Sequence, residues 1–254
     1  MDIGNEKIMG YQITTATPNA CVEQILSWIE GDEKTKYFVC ANPYSLEIAK
    51  KDKVFSQAIK EADLVIPDGV GIVIASKILG GHIRERITGS DIFWRLCEAI
   101  NKRRFLTCFF LGSTDETLAK ISEKMKVDFP NISVVGLYSP PFKSEFNPDD
   151  DRLMIKAINR VKPDVLWVGM TAPKQEKWIY CNKTVLDVKL IGAVGAVFDF
   201  YAGNIKRSPP WFLNHGLEWL PRLLQEPGRL WKRSLISAPT FLTGVLAERF
   251  RKVL

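Results

Sequence analysis

The sequence predicts an α/β protein, a parallel sheet with helices on both faces, followed by a C-terminal amphipathic helical appendage. Three observations predict it. Short apolar runs alternate with helix-period patterns at least five times, which calls for parallel strands joined by right-handed crossovers. Single polar residues and glycines directly follow the apolar runs, where open α/β sheets place their ligands. From about Gly203 the chain changes character and becomes rich in Trp, Leu and Arg.

The elements follow in order. Tyr11-Gln12-Ile13 is strand-like, and Ala20 to Glu30 is helical, with Val22, Ile25, Leu26 and Ile29 on one face. Tyr37 to Cys40 is a buried strand that Asn42-Pro43 ends, since proline cannot donate to a ladder. Ser45 to Ala62 is helical with a break near Asp52. Leu64 to Ile66 is a strand and Gly71 to Leu79 a helix; Ser90 or Asp91 caps another, running to Lys102. Phe105 to Leu111 is a buried strand. The helix after Gly112-Ser113-Thr114 carries Asp115 and Glu116 in its first turn, where the helix dipole favours them. Ile132 to Leu137 is a strand, Tyr138 to Phe142 a loop, and Asp149 to Val161 a helix whose acidic start reads as a cap and a solvated face. Val165 to Val168, a loop over Gly169 to Pro173, a helix from Lys174 to Asn182 and a strand from Leu190 to Val197 complete the alternation.

Composition sets the outer bounds. Of 254 residues, 46% are hydrophobic and 25% charged, the balance of an ordinary globular protein with a continuous core. The start of the chain carries early acids and no apolar run, so no signal peptide is expected. No stretch reaches the roughly 18 apolar residues of a spanning helix, and Pro239 interrupts the most apolar late segment, Leu235 to Ala247. A cytosolic location is expected. Five scattered cysteines show neither zinc spacing nor a disulfide framework and read as buried reduced thiols. The net charge of +6 lies wholly in the last fifty residues, because acids and bases balance over the first 204. The expected division is a core over 1–204 and a basic, Trp-rich appendage over 205–254.

In that appendage Trp211, Trp219 and Trp231 share an apolar side with several leucines, while Arg222, Arg229, Lys232 and Arg233 make a basic side. Tryptophan beside arginine on short amphipathic helices suits an anionic membrane surface. A helical pair packed on the core fits as well, and an apolar tail also suits a homo-oligomer.

Several chemistries fit poorly. Gly192 to Val197 has a dinucleotide-like glycine pattern, but Phe198-Asp199-Phe200 stands where the third glycine and its helix belong. The only histidines, His82 and His215, flank no G-x-S-x-G, so a hydrolase triad is not expected, and no His or Cys cluster suggests a metal. What remains is a rim of polar residues at strand ends: Asn42, Asp68, Thr171 to Glu176, and Asp199. With Arg84 and Arg86 they suit displacement at a sugar carbon bearing a diphosphate, an acid taking the acceptor proton while arginines hold the leaving charge. Without a paired-carboxylate motif, a divalent cation need not be invoked. Asp68 beside Gly69 also fits a plain turn residue, and the chemistry alone leaves both readings open.

Ala41-Asn42-Pro43, Pro67-Asp68-Gly69-Val70-Gly71 with Arg86 to Asp91, Gly169 with Pro173-Lys174-Gln175-Glu176, Gly192 to Asp199 with Ala202-Gly203, and Glu218 to Trp231 together resemble the WecG/TagA/CpsF family of bacterial glycosyltransferases. The resemblance covers nearly the whole chain. It implies a Rossmann-like core and an inverting, metal-independent transferase without a cofactor. The sugar would pass from a UDP-sugar donor to a polyprenyl-diphosphate-linked sugar at the inner face of the membrane, with no nucleic acid as partner. Carried over by position, Asp68 matches the family's general base, with Asn42 and Arg86 in the same cleft. Gln175 and Asp199, with Gly69 and Cys40 nearby, match the donor pocket. Arg222 and Arg229, with Lys232 or Arg233, match the residues that grip lipid diphosphate. Cys40 stands where the family often has threonine, and a thiol is a weak substitute for a hydroxyl. The rival reading is a non-catalytic nucleotide-binding module whose basic, aromatic tail binds nucleic acid.

Overall fold

The computed structural model describes residues 3–31, 34–103, 105–205 and 236–253, with positions 212, 220, 221, 224, 228 and 231 between the last two stretches. Six strands form the central sheet: β3 (Lys36–Ala41), β4 (Leu64–Pro67), β5 (Leu106–Gly112), β6 (Ile132–Tyr138), β7 (Val165–Gly169) and β8 (Leu190–Ala193). Their order is β4-β3-β8-β7-β5-β6 and every neighbouring pair is parallel. A separate hairpin of β1 (Asn5–Ile8) and β2 (Tyr11–Thr14) precedes them, with Ile8 opposite Tyr11.

The period-2 alternation of strand side chains divides the core into two layers. Tyr37, Val39 and Ala41 of β3, Val65 of β4, and Leu166 and Val168 of β7 face one cluster. That layer is covered by α2 (Pro43–Ala49), α3 (Lys53–Lys60), α4 (Val70–Leu79), α7 (Pro148–Val161), α8 (Lys174–Asn182), the hairpin and α10 (Ala238–Val253). Phe38, Leu64, Ile66, Val165 and Trp167 face the other, covered by α1 (Pro18–Glu30), α5 (Gly89–Arg103), α6 (Asp115–Asp128) and α9 (Val197–Tyr201). Phe93 of α5 packs edge-on against Trp167 at 4.9 Å between centroids, and Phe110 against Phe198 at 5.4 Å. The α/β sandwich expected from the alternation is the observed fold.

Right-handed crossovers to opposite edges place their helices on opposite faces. The chain leaves β3 through α2 and α3 to the β4 edge, and leaves β5 through α6 to the β6 edge. These departures open a crevice above the C-terminal ends of the strands between them, the usual ligand position in such sheets.

Several local expectations need correcting. The last strand stops at Ala193, not Val197, because Gly195 turns the chain at φ 57° and α9 begins at Val197. Thr88 caps α5 in place of Ser90 or Asp91: its hydroxyl accepts from the Asp91 N–H, and the Asp91 carboxylate accepts from the Thr88 N–H and hydroxyl. The cap of α7 is Asn147, paired reciprocally with Asp150, while the half-buried Asp151 accepts from the indole N–H of Trp178. The break near Asp52 is real, Asp52 capping α3 by accepting from the Phe55 N–H. Of the five thiols, Cys21, Cys97 and Cys108 are buried, but Cys40 is half-buried and Cys181 is exposed.

The helix α10 straps the start of the sheet. Phe241 and Val245 are fully buried in the layer that holds Ile8, Leu46, Ala49, Ile72 and Ala75, so α10 packs on α2 and α4. Its Glu248 accepts from the Met9 N–H in the β1–β2 turn. Among the described residues no helix is long and apolar enough to cross a membrane.

Candidate active site

Four adjacent strands, β4, β3, β8 and β7, end at the crevice, and each delivers one part of the rim. Asn42 follows β3 as the N-cap of α2. Its Oδ1 accepts from the Ser45 N–H at 3.0 Å, and Ser45 Oγ accepts from the Asn42 N–H at 2.8 Å. With the oxygen committed to the cap, the amide nitrogen points the other way and donates to Asp68 Oδ2 at 3.4 Å, a long bond. The Asp68 N–H donates to the Ala41 carbonyl at 2.8 Å, fixing the end of β4 beside the end of β3. Gly69 follows at φ 94°, a region that penalises any side chain, and so turns the chain into α4 immediately after the acid.

The arginine segment returns beside β4, the Ile87 N–H donating to the Pro67 carbonyl at 2.9 Å, which brings the half-buried Arg86 to the Asp68 end of the sheet. Arg84 is a correction: it is exposed, and among the described contacts its guanidinium reaches only back to the Gly81 carbonyl. Gly89 lets α5 start against the neighbouring loop, for a Cβ there would lie 3.3 Å from the Val194 carbonyl and 3.4 Å from Cys40 Sγ. Burial, together with the charges of Asp68, Glu176 and Asp91, holds the Cys40 thiol protonated well above its ordinary range. Cys40 is therefore a neutral neighbour of the acid, not a nucleophile.

On the β7 side, α8 starts at Lys174 after the Thr171–Pro173 loop, whose Ala172–Pro173 bond is cis. Gln175 and Glu176 in its first turn are both buried. Gln175 Oε1 accepts from the Met170 N–H at 3.1 Å, and its Nε2 donates to Glu176 Oε1 at 2.8 Å. Gly195 lies over the amide: a Cβ there would sit 3.7 Å from Nε2. Burial pushes the Glu176 carboxyl up to about 7. Sequence reading included Glu176 in a motif without assigning it a role.

The rim thus joins Asn42, Asp68, Gly69, Cys40 and Arg86 on one side to Gln175 on the other through the Val194–Gly195 turn. Asp199 is half-buried on α9, and among the described contacts none joins its carboxylate to Asp68 or Gln175. Arg222, Arg229, Lys232 and Arg233 lie outside the described residues. Among the described residues no group of three or more His, Cys, Asp or Glu is placed to hold a metal ion.

Comparison with known proteins supplies the chemical class. The model of the glycosyl transferase WecG/TagA/CpsF family matches residues 6–253. An N-acetylglucosaminyldiphosphoundecaprenol N-acetyl-beta-D-mannosaminyltransferase of Bacillus spizizenii is 32% identical over 213 residues, 84% of this chain and 79% of that protein. The protein of the same description from Bacillus subtilis strain 168 is 31% identical over 83% of this chain and 79% of its own length. That from Staphylococcus aureus strain MW2 is 29% identical over 97% of this chain and 93% of its own.

Proposed function

The chain belongs to the glycosyl transferase WecG/TagA/CpsF family, and on that premise we propose that it moves N-acetylmannosamine, or a closely related hexosamine, from a UDP donor to a polyprenyl-diphosphate-linked sugar. The observation that carries the mechanism is the Asn42–Asp68 pair at the ends of two adjacent strands. Asp68 is the general base. It takes the proton of the acceptor hydroxyl as that oxygen attacks the anomeric carbon, and the bond from that carbon to UDP breaks with its electron pair passing to the diphosphate. Asn42 keeps one carboxylate oxygen engaged and so sets the direction of the other. Arg86 stabilises charge at the same rim, and the appendage residues Arg222, Arg229, Lys232 and Arg233 grip the lipid diphosphate.

Attack from the face opposite UDP inverts the anomeric centre. The beta linkage in the relatives' description is the product that inversion at an α-linked donor would give. In this scheme guanidinium groups take the role of a divalent cation, so transfer proceeds in EDTA. The relatives' acceptor is named as a diphosphoundecaprenol-linked sugar, and exposed Leu224 and Trp231 in the basic tail support docking to an anionic membrane, which in this scheme is the inner face.

Asp68→Asn tests the assignment. The amide cannot accept the proton, so transfer to a short-chain lipid-diphosphate-N-acetylglucosamine falls by about 10²–10⁴-fold, while UDP binding measured by calorimetry is retained. Near-normal turnover removes Asp68 as the base, and an α-linked product by NMR removes inversion.

A further inference from the structure

Glu176 is the buried charge that the transfer mechanism does not use. It is 2% exposed, and while Oε1 accepts from Gln175, Oε2 is buried without a hydrogen-bond partner among the described residues. A buried polar atom left this way opposes folding and calls for an explanation, a functional role among them. An apolar side chain of similar volume would make a more stable helix start.

The geometry around Gln175 shows what the carboxylate does. The Met170 N–H can be met only by an oxygen, and Glu176 Oε1 accepts from the other end of the amide at 2.8 Å, so the two neighbours together fix which end of the Gln175 amide is nitrogen. With one Nε2 hydrogen spent on Glu176, Nε2 keeps a second, on an amide that lies beside the Gly195 turn. Without Glu176 the Met170 bond alone would hold the amide, and its nitrogen end would be free to swing.

We infer that Glu176 is a positioning residue of the donor pocket, acting through Gln175 to aim one amide N–H at the nucleotide-sugar. The inference rests on the placement of Gln175 in that pocket.

The experiment compares the full chain with Glu176→Met, Glu176→Gln, Gln175→Met and the Gln175→Met/Glu176→Met double variant. Thermal unfolding, kcat, KM for UDP-N-acetylmannosamine, KM for the lipid-diphosphate acceptor and calorimetric Kd for UDP are measured for each. Loss of one aimed hydrogen bond predicts that Glu176→Met raises donor KM about tenfold, with acceptor KM within about twofold. Its Tm is unchanged or higher. Glu176→Gln still offers an oxygen to Gln175 Nε2 and restores donor KM to within about threefold of wild type. The double variant is no worse than Gln175→Met, because both act on one contact.

A Glu176→Met protein that unfolds, or melts several degrees lower with donor KM intact, overturns the inference and makes Glu176 structural. A Glu176→Gln protein as impaired as Glu176→Met also overturns it, since the charge would then act on substrate directly. A Gln175→Met protein with unchanged donor KM and UDP affinity removes Gln175 from the pocket and so overturns the underlying reading instead.

Discussion

Replacing Phe241 with alanine asks whether α10 is part of the core or an ornament on it. The ring is fully buried against the layer formed by Ile8, Leu46 and Ile72. Removing it forfeits its transfer free energy and leaves a void, together typically about 3–5 kcal/mol for Phe→Ala. Because α10 is an outer helix that can settle toward α2 and α4, the expected loss is near the lower end, about 3 kcal/mol. For a chain of this size that corresponds to roughly 6–12 °C in Tm. Urea unfolding followed by tryptophan fluorescence and far-UV circular dichroism measures it, coincident curves licensing the two-state treatment. The same variant tests the site, since α2 begins after Asn42 and α4 after Asp68-Gly69. Loosening the strap is expected to lower kcat several-fold at temperatures where the protein remains folded. A loss of less than about 1 kcal/mol, outside the usual range for a buried ring, refutes the packing argument, and unchanged kcat refutes its link to the rim.

Gly69→Ala meets no steric obstacle, its Cβ lying 3.9 Å from that of Asn42, but must hold φ near 94°; a backbone penalty of about 1–2 kcal/mol or more and a shifted Asp68 are expected, read as lower Tm with disproportionately lower kcat. Thiol titration with an aromatic disulfide in the folded state is expected to show fast reaction at exposed Cys181 alone, burial holding Cys21, Cys40, Cys97 and Cys108 well above their ordinary range; rapid modification of Cys40 contradicts its placement. The Glu176 carboxyl titrates near 4.5 when unfolded and about 7 when folded, so the folded state binds the extra proton between those values. Its contribution is most favourable below pH 4.5 and becomes a penalty as pH rises through 7, on the order of 3 kcal/mol. The Tm advantage of Glu176→Gln over wild type is therefore expected to grow from pH 5 to pH 8, and a constant difference rejects the shift.

The sheet was legible because its strands, apart from the edge strand β6, are largely buried on both faces and read as short apolar runs, with polar residues where those runs end. Asn42 and Asp68 were visible on that ground alone. The order of the strands was not, since nothing local announces that β8 inserts between β3 and β7. The hairpin's second strand was legible at Tyr11 to Ile13, but its first strand and the pairing escaped because the two-residue turn is Met9-Gly10, both at positive φ, and methionine carries none of the Asn or Asp signal such turns usually show. The run Leu190 to Val197 was overextended because apolar composition does not separate a strand from a buried turn leading into a helix. Glu176 stood in the rim and in a family motif, yet its role stayed hidden for a related reason. An acid in a helix's first turn looks like a surface charge that suits the helix dipole, and only the packing of α8 beneath the sheet ends reveals it as buried.

The bond between the Met9 N–H and Glu248 joins positions 239 apart in the chain. The entropy of closing so long a loop grows only logarithmically with its length, so the contact costs little more at equilibrium than one half as distant. Kinetically it is different, for pairings of high sequence separation form late. The α2–α4 face that Phe241 covers stays wet until the strap docks, which makes it the surface through which a partly folded chain would self-associate. In refolding, secondary structure is therefore expected to recover before catalysis, with a delay that shortens when α10 is stabilised and that Phe241→Ala prolongs.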